Sequence, residues 1–143
     1  MEPITRQSVL NLLSGDWADY VARFQALPPA AQAAFLQQQG YRRLADLLAH
    51  IVAWWEVGMQ SIPRFQVDPA ARAEDIDVDS FNARAVEQVQ ALTEAEEIRR
   101  FEAARCKFLE LTRQLTEDDF KDERIRTQFK WELVNHLEEH RIN

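Results

Sequence analysis

The chain contains three histidines: His50, His136 and His140. His136 and His140 stand four residues apart, so on a helix they lie one turn apart on one face. Two imidazoles in that arrangement can ligate a single metal ion. His50 lies in the segment Asp46-Leu47-Leu48-Ala49-His50-Ile51-Val52-Ala53-Trp54-Trp55-Glu56. On a helical projection it falls at the margin of a broad apolar arc, beside Leu47 and Trp54. A joint site of the three therefore belongs at the rim of a helical core. Three neutral imidazoles leave coordination positions open, which is the pattern of a catalytic metal, because structural zinc is closed by four protein ligands. Zn²⁺, Ni²⁺ and Fe²⁺ all suit imidazole. Such an ion acts as a Lewis acid or lowers the pKa of a bound water or thiol. Asp46, one turn before His50, is a candidate to orient its ring. Glu139 and Glu56 are candidates for the same task or for proton transfer. Trp54 is the candidate wall of a small-molecule pocket. The competing reading makes all three histidines polar rim residues that hold no ion.

The elements that must position these residues follow from a hydrophobic period close to 3.6. A first helix is expected from Thr5 to Ala26, with Val9, Leu13, Trp17, Tyr20, Val21 and Phe24 on one stripe. Pro29 opens a short second helix through Gln39, and Gly40 fits its C-terminal cap. Arg42 to Ile62 reads as a strongly apolar helix stopped by Pro63. Residues 64–78 then read as a long crossover, which suits a bundle with two consecutive parallel helices. Asp79 is the expected N-cap of a helix through Phe81, Ala85 and Val89. Thr93-Glu94-Ala95-Glu96 has the form of a capping box and starts a helix carrying Phe101, Phe108 and Leu115. The last helix is expected from Arg126 to His140, with Phe129 and Leu133 on the arc of the two histidines and Trp131 turned away. The fold class expected is all-α: four main helices in a bundle plus short extra helices, with residues 1–143 as one domain.

Composition narrows the function. Among 143 residues, 24 acids against 17 Lys and Arg leave a net charge of −7. A nucleic-acid binder needs a basic face, so no nucleic-acid partner is expected. Three glycines are too few for the tight turns of an all-β fold. No run approaches a membrane span, and Met1-Glu2-Pro3-Ile4-Thr5-Arg6 lacks the basic start and apolar run of a signal peptide. A cytoplasmic protein that engages no membrane is the expectation. The one cysteine, Cys106, excludes an internal disulfide and a multi-cysteine zinc site. It reads as inert and partly buried. Arg99, Arg100, Arg105 and Lys107 read as a solvated face.

A histidine in a Leu-Leu-Ala-His-Ile-x-x-Trp helix, followed by His-x-x-x-His near the end of the last one, resembles the DinB superfamily. This superfamily includes damage-inducible-type DinB proteins, YfiT-like proteins and related thiol-dependent enzymes. The segment Asp77-Val78-Asp79-Ser80-Phe81-Asn82-Ala83-Arg84 after the crossover is also similar to its members, including the ClbS/DfsB-like branch. The resemblance implies a four-helix bundle of up-down-down-up topology and a homodimer. It implies a divalent metal held by three histidines, here His50, His136 and His140. It also implies a low-molecular-weight thiol cosubstrate such as bacillithiol, mycothiol or glutathione, hence a metal-dependent thiol S-transferase or related small-molecule enzyme. The ClbS/DfsB-like branch often departs from the triad, and membership there implies a non-enzymatic bundle that binds a small ligand or acts as a dimeric interaction protein.

Overall fold

The structure is a computed structural model that describes residues 3–142. The outermost ends of the expected domain, residues 1, 2 and 143, lie outside the described residues. Among the described residues every regular element is helical.

The first apolar stripe is buried as its spacing requires, but it runs along two helices, α1 (Arg6–Ser14) and α2 (Asp16–Gln25). The expected single helix is broken at Gly15, whose backbone leaves the helical region at φ −110 and ψ −97. The Gly15 N–H still donates to the Asn11 carbonyl. A Cβ there would stand 2.8 Å from that carbonyl oxygen, so the break needs a residue without a side chain. Thr5 and Ser8 close a reciprocal capping box at the start of α1. Helix α3 (Pro29–Gln39) starts on its proline and ends at Gly40, in the left-handed region at φ 84.

Helix α4 (Leu44–Val67) is the longest and runs through Pro63 instead of stopping there. Proline removes one backbone donor and crowds the carbonyl one turn back. Here Ile62 and Phe65 are buried on either side of it, which favours continuation. Arg124 then closes the helix end: its guanidinium donates to the carbonyls of Phe65, Asp68 and Ala71 and lies 4.9 Å from the Phe65 ring centre.

The crossover is correspondingly shorter than expected, and α5 (Val78–Glu87) is capped by Asp77, not Asp79. Thr93 caps α6 (Glu94–Gln114). A 3₁₀ turn (Asp118–Lys121) leads into α7 (Glu123–Phe129). A π-helical segment (Lys130–Asn135) follows, then α8 (His136–Glu139). The expected last helix thus starts three residues early and changes pitch in its middle.

Helix α4 packs against α5, α6 and α7. The core between them is aromatic, with Trp17, Tyr20, Trp55, Phe101, Phe108 and Phe129 all buried. Trp17 and Trp55 meet edge to face at 5.0 Å. Cys106 is exposed, contrary to its expected partial burial. Among the described residues no helix is long and apolar enough to cross a membrane.

Candidate functional site

The site is built on the change of pitch in the last helix. Residues four apart drift by about 40° per step on an α-helix. A wider π turn counters that drift. Gln128, Glu132, His136 and His140 therefore stay on one buried face. The π turn also frees carbonyls from the regular ladder, and each must find another donor. Two core indoles supply them: Trp55 Nε1 donates to the Glu132 carbonyl at 2.9 Å, and Trp17 Nε1 to that of Leu133 at 3.1 Å. The end of the helix is held by the Tyr20 hydroxyl, which donates to the His140 carbonyl at 2.6 Å.

His50, from α4, meets the two histidines of the last helix. The ring centres are separated by 5.4 Å (His50–His136), 5.0 Å (His50–His140) and 5.8 Å (His136–His140). An imidazole that ligates zinc at about 2.1 Å has its ring centre about 3.2 Å from the ion, so tetrahedral neighbours have centres about 5 Å apart. The observed triangle matches that figure on one side and exceeds it by less than an ångström on the others. Among the described residues no three His, Cys, Asp or Glu side chains already stand as a metal-holding group. The two observations concern different things. Ring centres give the spacing of the imidazoles, whereas the positions of the nitrogens decide whether they meet on one ion. The backbones bring the rings together, and closing them on an ion takes further side-chain adjustment.

Every ring uses Nδ1 in the same way. His50 Nδ1 donates to Asn82 Oδ1 at 3.1 Å. The same oxygen accepts from Trp54 Nε1 at 2.7 Å, and because an indole only donates, that Asn82 atom is an acceptor. His136 Nδ1 donates to the Glu132 carbonyl at 3.1 Å, and His140 Nδ1 to Gln39 Oε1 at 2.6 Å. All three rings therefore carry their proton on Nδ1 and their lone pair on Nε2. His140 Nε2 is buried and has no partner among the described residues.

Electrostatics keep these lone pairs free. Burial lowers the His50 pKa, opposed by the bond to Asn82. Burial and the neighbouring His50 push His136 down to about 4. His140 falls to about 3 through burial, with His50 and His136 adding to the shift. Desolvation also pushes Glu132 up to about 8, although Gln128 Nε2 donates to its carboxyl at 2.8 Å. At neutral pH the histidines are uncharged and Glu132 holds its proton. Room for that carboxyl comes from Gly58 on α4, where a Cβ would stand 2.8 Å from Glu132 Cγ.

A cavity of about 330 Å³ opens beside His50 and His136. Trp54, Val57 and Ile76 give it apolar walls, and Asn82, Gln128 and Asn135 line it with amides. Trp54, the candidate pocket wall, and Glu139 both border this cavity. Asp46 does not orient His50: its carboxylate accepts from Arg43 at 2.7 Å, and Asn82 has the task instead. Glu56 lies outside this cavity and lines two neighbouring hollows. Sequence reasoning assigned no site role to Gln39, Gly58, Asn82 or Glu132. Asn82 and Gln39 meet their histidines from remote segments, which no local spacing signals. No protein-family model, curated protein or solved structure matches the chain.

Proposed function

We propose that this chain is a divalent-metal protein of DinB type, with His50, His136 and His140 as the ligands of one ion. The reading is carried by one observation: each Nδ1 is committed to an oxygen acceptor, while the Nε2 of His140 is buried without a partner among the described residues. Ligating histidines have this arrangement, with the second nitrogen fixed by an outer oxygen. A buried lone pair without a partner is otherwise costly. An ion at this place supplies Lewis-acid polarisation and lowers the pKa of a thiol or water.

The chain's own residues do the rest. Asn82, Gln39 and the Glu132 carbonyl fix the ring orientations. Trp54, Val57 and Ile76 exclude water from one side of the cavity, and Asn135 and Gln128 offer amide donors and acceptors to a small substrate. The reaction class is thiol S-transfer to an electrophile, as the resemblance implies. The same resemblance supplies the arrangement proposed for the helices: α1–α2, α4, α6 and α7–α8 as four rods in up-down-down-up order, forming a homodimer. A second reading, a small-ligand-binding bundle without an ion, draws on the cavity together with the absence of a preassembled ligand group among the described residues.

Metal content of tag-free protein separates the two. After reconstitution with zinc, nickel or iron, about one ion per chain is expected, and the His136→Ala variant should lose it. No retained ion with any of the three metals overturns the metal reading. Transfer is then assayed on the loaded protein, with a panel of thiols and one reactive electrophile.

A further inference from the structure

The cavity beside His50 and His136 has a charge pattern that the metal reading does not use. Among the described residues its lining contains no Lys or Arg, whereas three glutamates, Glu74, Glu132 and Glu139, border it. Glu132 is buried and bonded to Gln128. Glu74 and Glu139 are exposed residues of the cavity lining, so their carboxylates are in contact with water. The segment that leads from Glu74 into α5 adds Asp75, Asp77 and Asp79, all exposed. Arg124 and Arg84 both lie outside this lining. Arg124 pairs with Asp122 and serves the carbonyls at the end of α4. Arg84 lines the adjacent hollow, which holds Glu56 and again Glu74. The mouth is therefore a concentrated negative field on a chain whose net charge is already −7.

Two indoles complete the pattern. Trp54 and Trp131 both line the cavity, and Trp131 is 47% exposed, a large apolar surface left open to solvent. Trp131 also borders a second, smaller hollow with Phe65 and Thr127, so its ring stands between two cavities. Aromatic faces beside carboxylates attract organic cations, through the ring quadrupole and through direct charge attraction. An anionic ligand would find no counter-charge in the lining.

We propose that this cavity binds a small organic cation, a protonated or alkylated amine on an apolar body, with the charge toward Glu74 and Glu139 and the body against Trp54 and Trp131. The inference rests on the cavity and stands with or without an ion at the histidines. If an ion is present, its charge lies at the His50 and His136 end and selects an electron-pair donor there. The carboxylates of Glu74 and Glu139 still select the ammonium. Under the thiol reading, the preferred cosubstrate is then an aminothiol and not a thiol bearing free carboxylates.

Three matched probes test this on the full chain stripped of metal: 2-phenylethylamine, 2-phenylethanol and 3-phenylpropionate, by titration calorimetry and indole fluorescence at fixed ionic strength. The amine should bind at least tenfold more tightly than the carboxylate and severalfold more tightly than the alcohol. Glu74→Gln and Glu139→Gln alter exposed residues and leave the core intact. Each should weaken the amine severalfold and leave the alcohol unchanged. The proposal is overturned if the carboxylate binds as tightly as the amine. It is overturned equally if the double variant keeps the amine preference, or if no amine binds at millimolar concentration while circular dichroism reports an intact fold. Repeating the series with zinc keeps the two readings apart: amine selection without zinc uptake sinks only the metal site, and zinc uptake without amine selection sinks only this one.

Discussion

At the scale of single residues, the three imidazoles matter less for their presence than for what holds their far nitrogens. Asn82 accepts from both His50 and Trp54, so its removal frees one ring and one indole at once. Losing such an outer partner typically lowers metal affinity by about 10–100-fold. Asn82→Ala is therefore expected to weaken zinc binding within that range, measured by competition with a chromophoric chelator. Asp46→Ala is the matched control. Its carboxylate pairs with Arg43, whose guanidinium also serves the carbonyls of Val89 and Leu92. That variant should lose stability and keep its zinc affinity; the opposite pattern would assign the ring-holding role to Asp46 after all. The triad itself was legible in the sequence, because its residue type is rare here and its spacing is helical. Its partners were not. Asn82 reaches His50 from another helix and Gln39 reaches His140 from the far end of the chain, and such pairings depend on packing alone.

At the scale of elements, the stripes were legible and the irregularities were not. Val9 through Phe24 announced a buried face, yet nothing in that periodicity marks Gly15 as a break, since apolar spacing continues across it. Pro63 looked like a stop because the local cost was visible and the remote support from Arg124 was not. The π segment was invisible for the same reason: Trp17 and Trp55, which satisfy its carbonyls, read simply as core residues. Two variants probe these supports. Gly58→Ala places a methyl 2.8 Å from Glu132 Cγ, inside a packed core. Overpacking of this kind costs about 1–3 kcal/mol. It should also lower zinc affinity, because Glu132 is the residue whose carbonyl holds His136. A urea midpoint and a zinc titration equal to those of the parent would show that the core yields freely there. Arg124→Lys keeps the charge and loses the fork that reaches several carbonyls at once. A loss of stability is expected, since part-buried carbonyls at the end of α4 lose a charged donor. The urea midpoint of that variant checks this, and a midpoint unchanged from the parent would mean that α4 runs through Pro63 on core burial alone.

At the scale of the whole molecule, burial has put bases and acids into the same low-dielectric interior, and they act on stability in opposite senses. In metal-free protein the histidines have folded pKa values below the ordinary 6.5, with His136 near 4 and His140 near 3. The unfolded chain takes up their protons first, so stability is full above pH 6.5 and falls as the pH drops toward 4 and 3. Glu132 has the reverse sign. Its folded value of about 8 lies above the ordinary 4.5, so the folded chain keeps a proton that the unfolded chain has released. Its contribution declines as the pH rises from 4.5 to about 8. Glu97, buried with one carboxyl oxygen unpartnered among the described residues, shifts in the same direction through burial, opposed by Arg100. Below pH 6.5 three histidine protons outweigh the carboxyl protons, and above it only the carboxyls act. Stability should therefore peak at about pH 6–6.5 and decline on the alkaline side by at most about 1.4 kcal/mol per pH unit for each retained proton. Urea unfolding in chelator between pH 4 and 9 measures the curve. Glu132→Gln should flatten its alkaline limb and leave the acid limb in place, because an amide does not titrate and can still bond Gln128. A parent protein whose stability climbs steadily through pH 8 would mean that Glu132 ionises in the folded state without cost, and that the interior around the candidate site is wetter than its packing implies.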